Sequence, residues 1–251
     1  MTTRQRASRV LAPLLGSTAL VVVIDTVGRS GVVGPSWPPL TDVLAYIVDP
    51  GHRAILTTAL GSTLRSALLG GAIGGLAGVA LAVVARVVPI SRPGLDRFAA
   101  ILDAAPAIAI APVVAVSLGR EATPALLPGI IVGFILYVAA SSGLSAASAG
   151  HADVFHAFGA RRTTRLIALD LPGAMPAVFD GLVLAAPAMI TGATIGEWFG
   201  APSGLGVLLV SAMQNYQVTL LWAAALLCVL CSLVLYVLAR AAHGAIVRRF
   251  S

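Results

Sequence analysis

The sequence predicts an all-α polytopic membrane protein that crosses the bilayer about six times and keeps both termini in the cytoplasm. Three observations predict it. Of 251 residues, 58% are hydrophobic and only 10% charged, against roughly 25% charged in soluble domains, and mean hydropathy is +0.97. Apolar runs of the ~20 residues needed to cross ~30 Å of hydrocarbon recur along the chain. The 16 basic residues, all arginine, gather at the ends of those runs, as membrane topology places them. A water-soluble globular domain is excluded. The net charge of +6 and pI near 10.3 would in isolation suggest nucleic acid, but topology accounts for the arginines and no nucleic-acid partner is expected.

The elements follow in order. Residues 1–9 form a cytoplasmic tail with Arg4, Arg6 and Arg9, and 10–28 are the first span, with Asp25 near its outer end. Five further spans argue against a cleaved signal peptide. Residues 29–65 form an external segment. Residues 66–149 hold the second to fourth spans, with apolar runs at 66–85, 98–118 and 123–143. A cytoplasmic loop at 150–173 precedes the fifth and sixth spans within 174–239, at 174–195 and 218–239, which are joined through an external glycine-rich segment at 196–206. Residues 240–251 return to the cytoplasm. With this register Arg4, Arg6, Arg9, Arg86, Arg92, Arg97, Arg161, Arg162, Arg165, Arg240, Arg248 and Arg249 share the side of the termini, which makes that side cytoplasmic. Arg29, Arg53 and Arg120 lie opposite with Trp37 and Trp198, and Arg65 snorkels at the outer start of the second span.

Gly70, Gly74 and Gly78 recur every four residues, interleaved with Gly71 and Gly75. One face of the second span is thus nearly bare and suits a packing seam, inside the subunit or between subunits. Prolines 106, 112, 124, 128 and 187 lie in or at the starts of later spans and invite bends. Broken helices at membrane depth are tolerated where they are buried in protein or line a cavity, which favours a transporter over an anchor. Cys228 and Cys231 form a C-x-x-C with no histidine or carboxylate nearby, so they read as packed hydrophobes, not as a metal or redox site.

The loop GHADVFHAFGARRTTRLIALDLPGAMP is patterned like structure. Val154, Phe155 and Phe158 share one face of a short helix that Asp153 begins and Gly159 ends. A second piece from about Ala160 sets Arg161, Arg162 and Arg165 against Leu166, Ile167 and Leu169, until Leu171 and Pro172 stop it. From the residues alone, this knob suits a helix lying on lipid headgroups or a docking element. His151 and His156 are surface histidines with no metal or acid–base role.

At these residues the chain resembles the membrane permease subunits of binding-protein-dependent (type I) ABC importers of the nitrate, sulfonate and taurine type. Their cytoplasmic signature, E-A-A, three residues, G, nine residues, I-x-L-P, is matched in unbroken spacing by Asp153, Val154, Phe155, Gly159, Leu169, Asp170, Leu171 and Pro172. GPSWPPLTDVL from Gly34, DAAPAIAIAPVVAVSLG from Asp103 and GEWFGAPSGLGVLL from Gly196 are similar to that subfamily's other stretches, in the same order. Asp153 stands for the signature glutamate, Val154 and Phe155 for its alanines, and Leu169 for isoleucine. Phe155 is the largest departure, since an aromatic ring replaces a methyl group.

The resemblance implies a multi-pass subunit of the bacterial cytoplasmic membrane, paired as a homodimer around one pathway. It also implies a cytoplasmic ATPase and an extracytoplasmic binding protein. No G-x-x-x-x-G-K-[S/T] and no lysine occur, so ATP and Mg²⁺ belong to the ATPase, and this chain is neither an enzyme nor a cofactor protein. Asp153, Val154, Phe155, Phe158, Gly159, Ala160, Arg161, Arg162, Leu169, Leu171 and Pro172 would couple it to the ATPase, the arginines facing ATPase carboxylates or lipid phosphate. Pro106, Met189, Thr191, Thr194 and Glu197 are the candidate pathway residues. Glu197 suits a gate or a simple interface position, and the hydroxyls suit either pathway or packing. Asp103 is expected to pair with Arg97. A sulfonate, taurine, nitrate or a vitamin precursor fits the resemblance, with selection left to the binding protein. A stand-alone secondary transporter or channel would leave the loop's spacing unexplained, and a membrane enzyme would need a catalytic cluster that the sequence lacks.

Overall fold

The computed structural model describes residues 16, 18–19, 21–146, 155, 159 and 161–250, and these form helices joined by turns and short extended stretches, with no strand. Residues 21–30 are helical. Then come α1 (Leu40–Val48), α2 (Pro50–Val87), α3 (Arg92–Ala104), α4 (Ala107–Leu118), α5 (Thr123–Ser145), α6 (Arg162–Arg165), a π turn (Leu166–Asp170), α7 (Leu171–Glu197), α8 (Leu205–Gln214) and α9 (Val218–Phe250). Among the described residues, four helical runs are long and apolar enough to cross a membrane, and the bent pair α3–α4 reaches that length only when its two arms are taken together. Of the expected first span, 10–28, residues 10–15, 17 and 20 lie outside the described residues, and 21–28 are helical.

Several expectations are corrected. The helix that carries the second span does not begin at residue 66. α2 starts at Pro50, where Asp49 accepts a hydrogen bond from the Gly51 N–H at 3.1 Å, an acidic cap followed by proline at the first helical position. Its 38 residues extend about 57 Å at 1.5 Å per residue, so 29–65 is largely helical, α1 included. The run 98–118 is not one straight helix: α3 and α4 meet at 99°. Ala105 is extended (φ −80, ψ 121) ahead of Pro106, as the proline ring disfavours the helical conformation at the residue before it. Pro112, Pro128, Pro176 and Pro187 stay within helices. Leu171 and Pro172 do not stop the loop's second helix. The π turn leads straight into α7, its widened turn relieving the clash of a proline ring with the carbonyl four residues back. Finally, α9 continues past residue 239 to Phe250.

The chain divides into two compact units. One comprises the described residues of Met1–Thr57 with Leu208–Leu226, the other Thr58–Val207 with Leu227–Ser251. In the first, Asp25 ties the 21–30 helix to the start of α1: its Oδ1 accepts from the Thr41 N–H at 3.1 Å and its Oδ2 from Arg29 Nε at 2.7 Å. Trp37 packs on Trp222 with ring centroids 4.7 Å apart, and Trp222 Nε1 donates to the Ser36 carbonyl at 3.1 Å.

In the second unit, α2 and α5 meet along a double glycine seam, which settles the stripe as internal to the subunit. A Cβ on Gly70, Gly74 or Gly78 would overlap the carbonyl of Ala125, Gly129 or Gly133. In return, a Cβ on Gly129 would lie 3.1 Å from the Gly70 carbonyl oxygen, and one on Gly133 3.0 Å from that of Gly74. α5 and α7 run antiparallel at similarly close range, Gly143 against Ala174, Gly181 against Ala139, Gly192 against Pro128 and Gly196 against Pro124. Small residues allow this approach, and dispersion between close backbones holds it where lipid removes the hydrophobic drive. The buried cores are accordingly alanine-rich, with Val132, Leu136 and Ile190 in one cluster and Tyr137 and Leu144 in another. Tyr137, 4% exposed, donates to Asp96 Oδ1 at 2.6 Å and so fastens α5 to α3.

Candidate functional site

The 161–170 stretch joins α7 at a buried ion pair. Asp170, 3% exposed, closes the π turn, and its Oδ2 accepts from Arg86 Nε at 2.9 Å with Arg86 Nη2 2.8 Å away in the same ion pair. Arg165 Nε lies 3.6 Å from Oδ1. Arg86 occupies the last turn of α2, where a cation also suits the helix dipole. A buried carboxylate needs such partners, because desolvating it unpaired is costly. Beside the pair is a cavity of about 300 Å³ lined by Arg86, Phe155, Arg162, Arg165, Leu166 and Asp170 among others.

Of the expected coupling residues, Asp153, Val154, Phe158 and Ala160 lie outside the described residues. Phe155 is helical and half-buried, and Gly159 has φ +64, the left-handed conformation that glycine adopts without Cβ strain. Arg161 is extended and exposed, and Arg162 opens α6, also exposed. Leu169 and Pro172 are half-buried, while Leu171 packs with Leu166 against the cluster of Ala82, Tyr137 and Ala174. This stretch thus turns Leu166 and Leu171 inward and Arg161 and Arg162 outward, while Arg165 faces Asp170.

The opposite end of α7 is held by a second buried carboxylate. Glu197, 1% exposed, accepts from Thr63 Oγ1 at 2.8 Å and from the Gly206 N–H at 2.7 Å, and the Leu205 N–H donates to Thr63 Oγ1 at 2.8 Å. Two N–H groups at the start of α8 are thereby satisfied by side chains of other helices, with an acidic group at the positive end of the helix dipole. The 198–204 segment folds back tightly here. Gly204, at φ +149, has no space for a Cβ beside the Glu197 carboxylate.

The candidate pathway residues divide. Pro106 and Thr191 are exposed. Met189 lies in the core with its Sδ against Gly71, and Thr194 is buried with its hydroxyl on the Ile190 and Thr191 carbonyls, both at 3.0 Å. Asp103 makes no ion pair with Arg97 among the described residues; six positions apart, the two lie on different faces of α3. Asp103 lines a cavity of about 230 Å³ with Pro106 and Phe134. Sequence reasoning missed Arg86, Asp170 and Thr63. A lone aspartate inside the apolar LIALDLP was a signal for a buried pair, whereas nothing in sequence joins Thr63 to Glu197.

Residues 73–251 match the family described as binding-protein-dependent transport system inner membrane component. The chain is 31% identical over 186 residues to a probable ABC transporter permease protein of Haemophilus influenzae, covering 74% of this chain and 76% of that one. It is 25% identical over 209 residues to the formylaminopyrimidine transport permease protein ThiX of Halalkalibacterium halodurans, covering 80% and 81%. Its fold is similar to a chain of the MetNI methionine ABC transporter in inward facing conformations, with a TM-score of 0.62 and 19% identity over 81% of this chain and all of that one. The several apolar spans, the absence of strands among the described residues and this match over most of the chain lead to one assignment: the chain belongs to the binding-protein-dependent transport system inner membrane components, as a multi-pass ABC importer permease and not an enzyme.

Proposed function

We propose that the chain works as a homodimer with N- and C-termini in the cytoplasm, forming the pathway of an ATP-driven importer. The 153–172 segment seats on a separate cytoplasmic ATPase that carries ATP and Mg²⁺, and a binding protein delivers the solute. The observation that carries this reading is the loop's exit. Asp170 anchors it between Arg86 and Arg165 with Leu166 and Leu171 turned inward, while Arg161 and Arg162 remain exposed for a partner. Pro106 and Thr191, being exposed, are the pathway candidates, and the Glu197–Thr63 contact supports the neighbouring turn from behind.

The solute is a small polar molecule of the sulfonate, taurine or nitrate kind or a vitamin precursor. Similarity to a formylaminopyrimidine permease supports the vitamin precursor among these. Purification of the tagged chain from its native membrane in mild detergent tests the reading. A Walker-motif ATPase recovered in equal amount is the expected result, and a chain that emerges alone and moves solute without ATP overturns it. Tritiated formylaminopyrimidine imported by the reconstituted complex with its binding protein would identify the substrate.

A further inference from the structure

We infer that Asp170 is a positioning residue that transmits movement of the cytoplasmic loop into the spanning helices, by pinning the loop's exit to the Arg86 end of α2. The inference rests on the proposed docking of the loop on an ATPase.

A loop can drive a membrane domain only through contacts whose strength differs between its two states. On the described side of this loop, Arg161, Arg162, Thr163 and Thr164 are all exposed and offer little grip on the bundle. Leu166 and Leu171 are packed against it, but apolar contact is non-directional and permits sliding. The Asp170–Arg86 contact is directional. Arg86 Nε donates to Asp170 Oδ2 at 2.9 Å within an ion pair whose Nη2 lies 2.8 Å from the same oxygen, a charge-assisted hydrogen bond that is both directional and stronger than a neutral one.

What the pair joins gives it reach. Asp170 is continuous with α7 through the π turn. Arg86 ends α2, which is held to α5 by the glycine seam, and α5 is held to α7 by Gly143, Gly181, Gly192 and Gly196. A displacement of the loop therefore either breaks the pair or carries α2 and α7 with it. The π turn, the widened part of an otherwise continuous helix, lies where the loop's motion must be either absorbed or passed on.

The test is hydrogen–deuterium exchange on the whole permease–ATPase complex in nanodiscs, comparing nucleotide-free with ATP–vanadate-trapped states. In the wild-type complex, trapping changes exchange both in the loop and in the facing ends of α2 and α7, by about fivefold or more, the lower end of typical coupling between sites. In Asp170→Asn the ATPase still co-purifies and the loop still responds, but the response of α2 and α7 falls to near unity. Asp170→Glu, which restores the charge, recovers much of it. A full helix response in Asp170→Asn overturns the inference. So does loss of the ATPase from that variant, which would make the pair part of the docking surface, and so does a wild-type complex whose α2 and α7 ends do not respond. Failure of the wild-type chain to bring down an ATPase is a separate outcome that overturns the docking reading and the inference with it.

Discussion

Thr63 and Glu197 lie 134 positions apart in the chain and share a buried hydrogen bond of 2.8 Å, the hydroxyl of one donating to the carboxylate of the other. Around this contact two further donors are satisfied, the N–H groups of Leu205 and Gly206. α2, α7 and the entry to α8 are therefore fixed at one point. The arrangement explains why an ionisable residue is retained in an apolar region, where charge is costly unless partnered.

Removing the carboxylate leaves the buried Gly206 N–H without its acceptor, while Thr63 keeps a second acceptor, the Ala59 carbonyl at 3.1 Å. Glu197→Ala is thus expected to cost about 1–3 kcal/mol, the penalty for one buried unsatisfied donor. Thermal unfolding of the purified permease in detergent checks it. A midpoint equal to wild type would show that water replaces the carboxylate.

The glycine seam gives a contrast within one helix. Gly74→Ala places a methyl group into the Gly129 carbonyl, whereas a Cβ at Gly61 meets nothing within 4 Å. Overpacking against backbone typically costs about 1–3 kcal/mol, while alanine in an open helical site gains up to about 1 kcal/mol over glycine. Gly74→Ala should therefore lower the unfolding midpoint and the yield of folded protein, and Gly61→Ala should leave both unchanged or raised. Equal behaviour of the two variants would place the seam elsewhere.

The legible parts of this fold were those with a local cause. The apolar runs, the glycine stripe and the breaking effect of Pro106 are properties of neighbouring residues, and the spacing from Asp153 to Pro172 pointed to the right family. The start of α2 at Pro50 was also written locally, in Asp49-Pro50-Gly51, but a search for apolar windows passes over an amphipathic first stretch containing Arg53 and Arg65. Pro172 read as a stop because a π turn, which absorbs the ring, has no sequence signature. The partners of Asp170 and Glu197 lie 84 and 134 positions away, and only packing brings them together. The same holds for Met189, a pathway candidate from its span position, whose side chain packs against Gly71 in the cluster of Val132 and Ile190.

α3 is attached to α5 partly through the Tyr137 hydroxyl, and Tyr137→Phe removes that donor while keeping the ring. Asp96 is about half exposed, so water can take over its lost bond. The expected cost is therefore near the ordinary net value of a hydrogen bond, about 1 kcal/mol. A double-mutant cycle with Asp96→Ala, which removes the acceptor, read by thermal unfolding, should return a coupling of that order. A coupling of zero would show that the 2.6 Å contact contributes nothing to stability.

Gly159 offers the sharpest test of the loop's shape, since its φ is +64 and among the described residues no atom lies within 4 Å of a Cβ built there. Backbone conformation is therefore the constraint that substitution meets among those residues. Asparagine tolerates the left-handed region, alanine pays about 1–2 kcal/mol, and a β-branched valine pays more. If the turn presents the loop to an ATPase, affinity for that partner should fall in the order Gly159→Asn, Gly159→Ala, Gly159→Val. The alanine step should be about five- to thirtyfold, at one decade per 1.4 kcal/mol. Titration of the nanodisc-embedded permease with the ATPase, by surface plasmon resonance, measures it. An order that follows side-chain volume at every step, with asparagine weaker than alanine, would mean that the residue meets the partner directly and that space, not the sign of φ, decides binding.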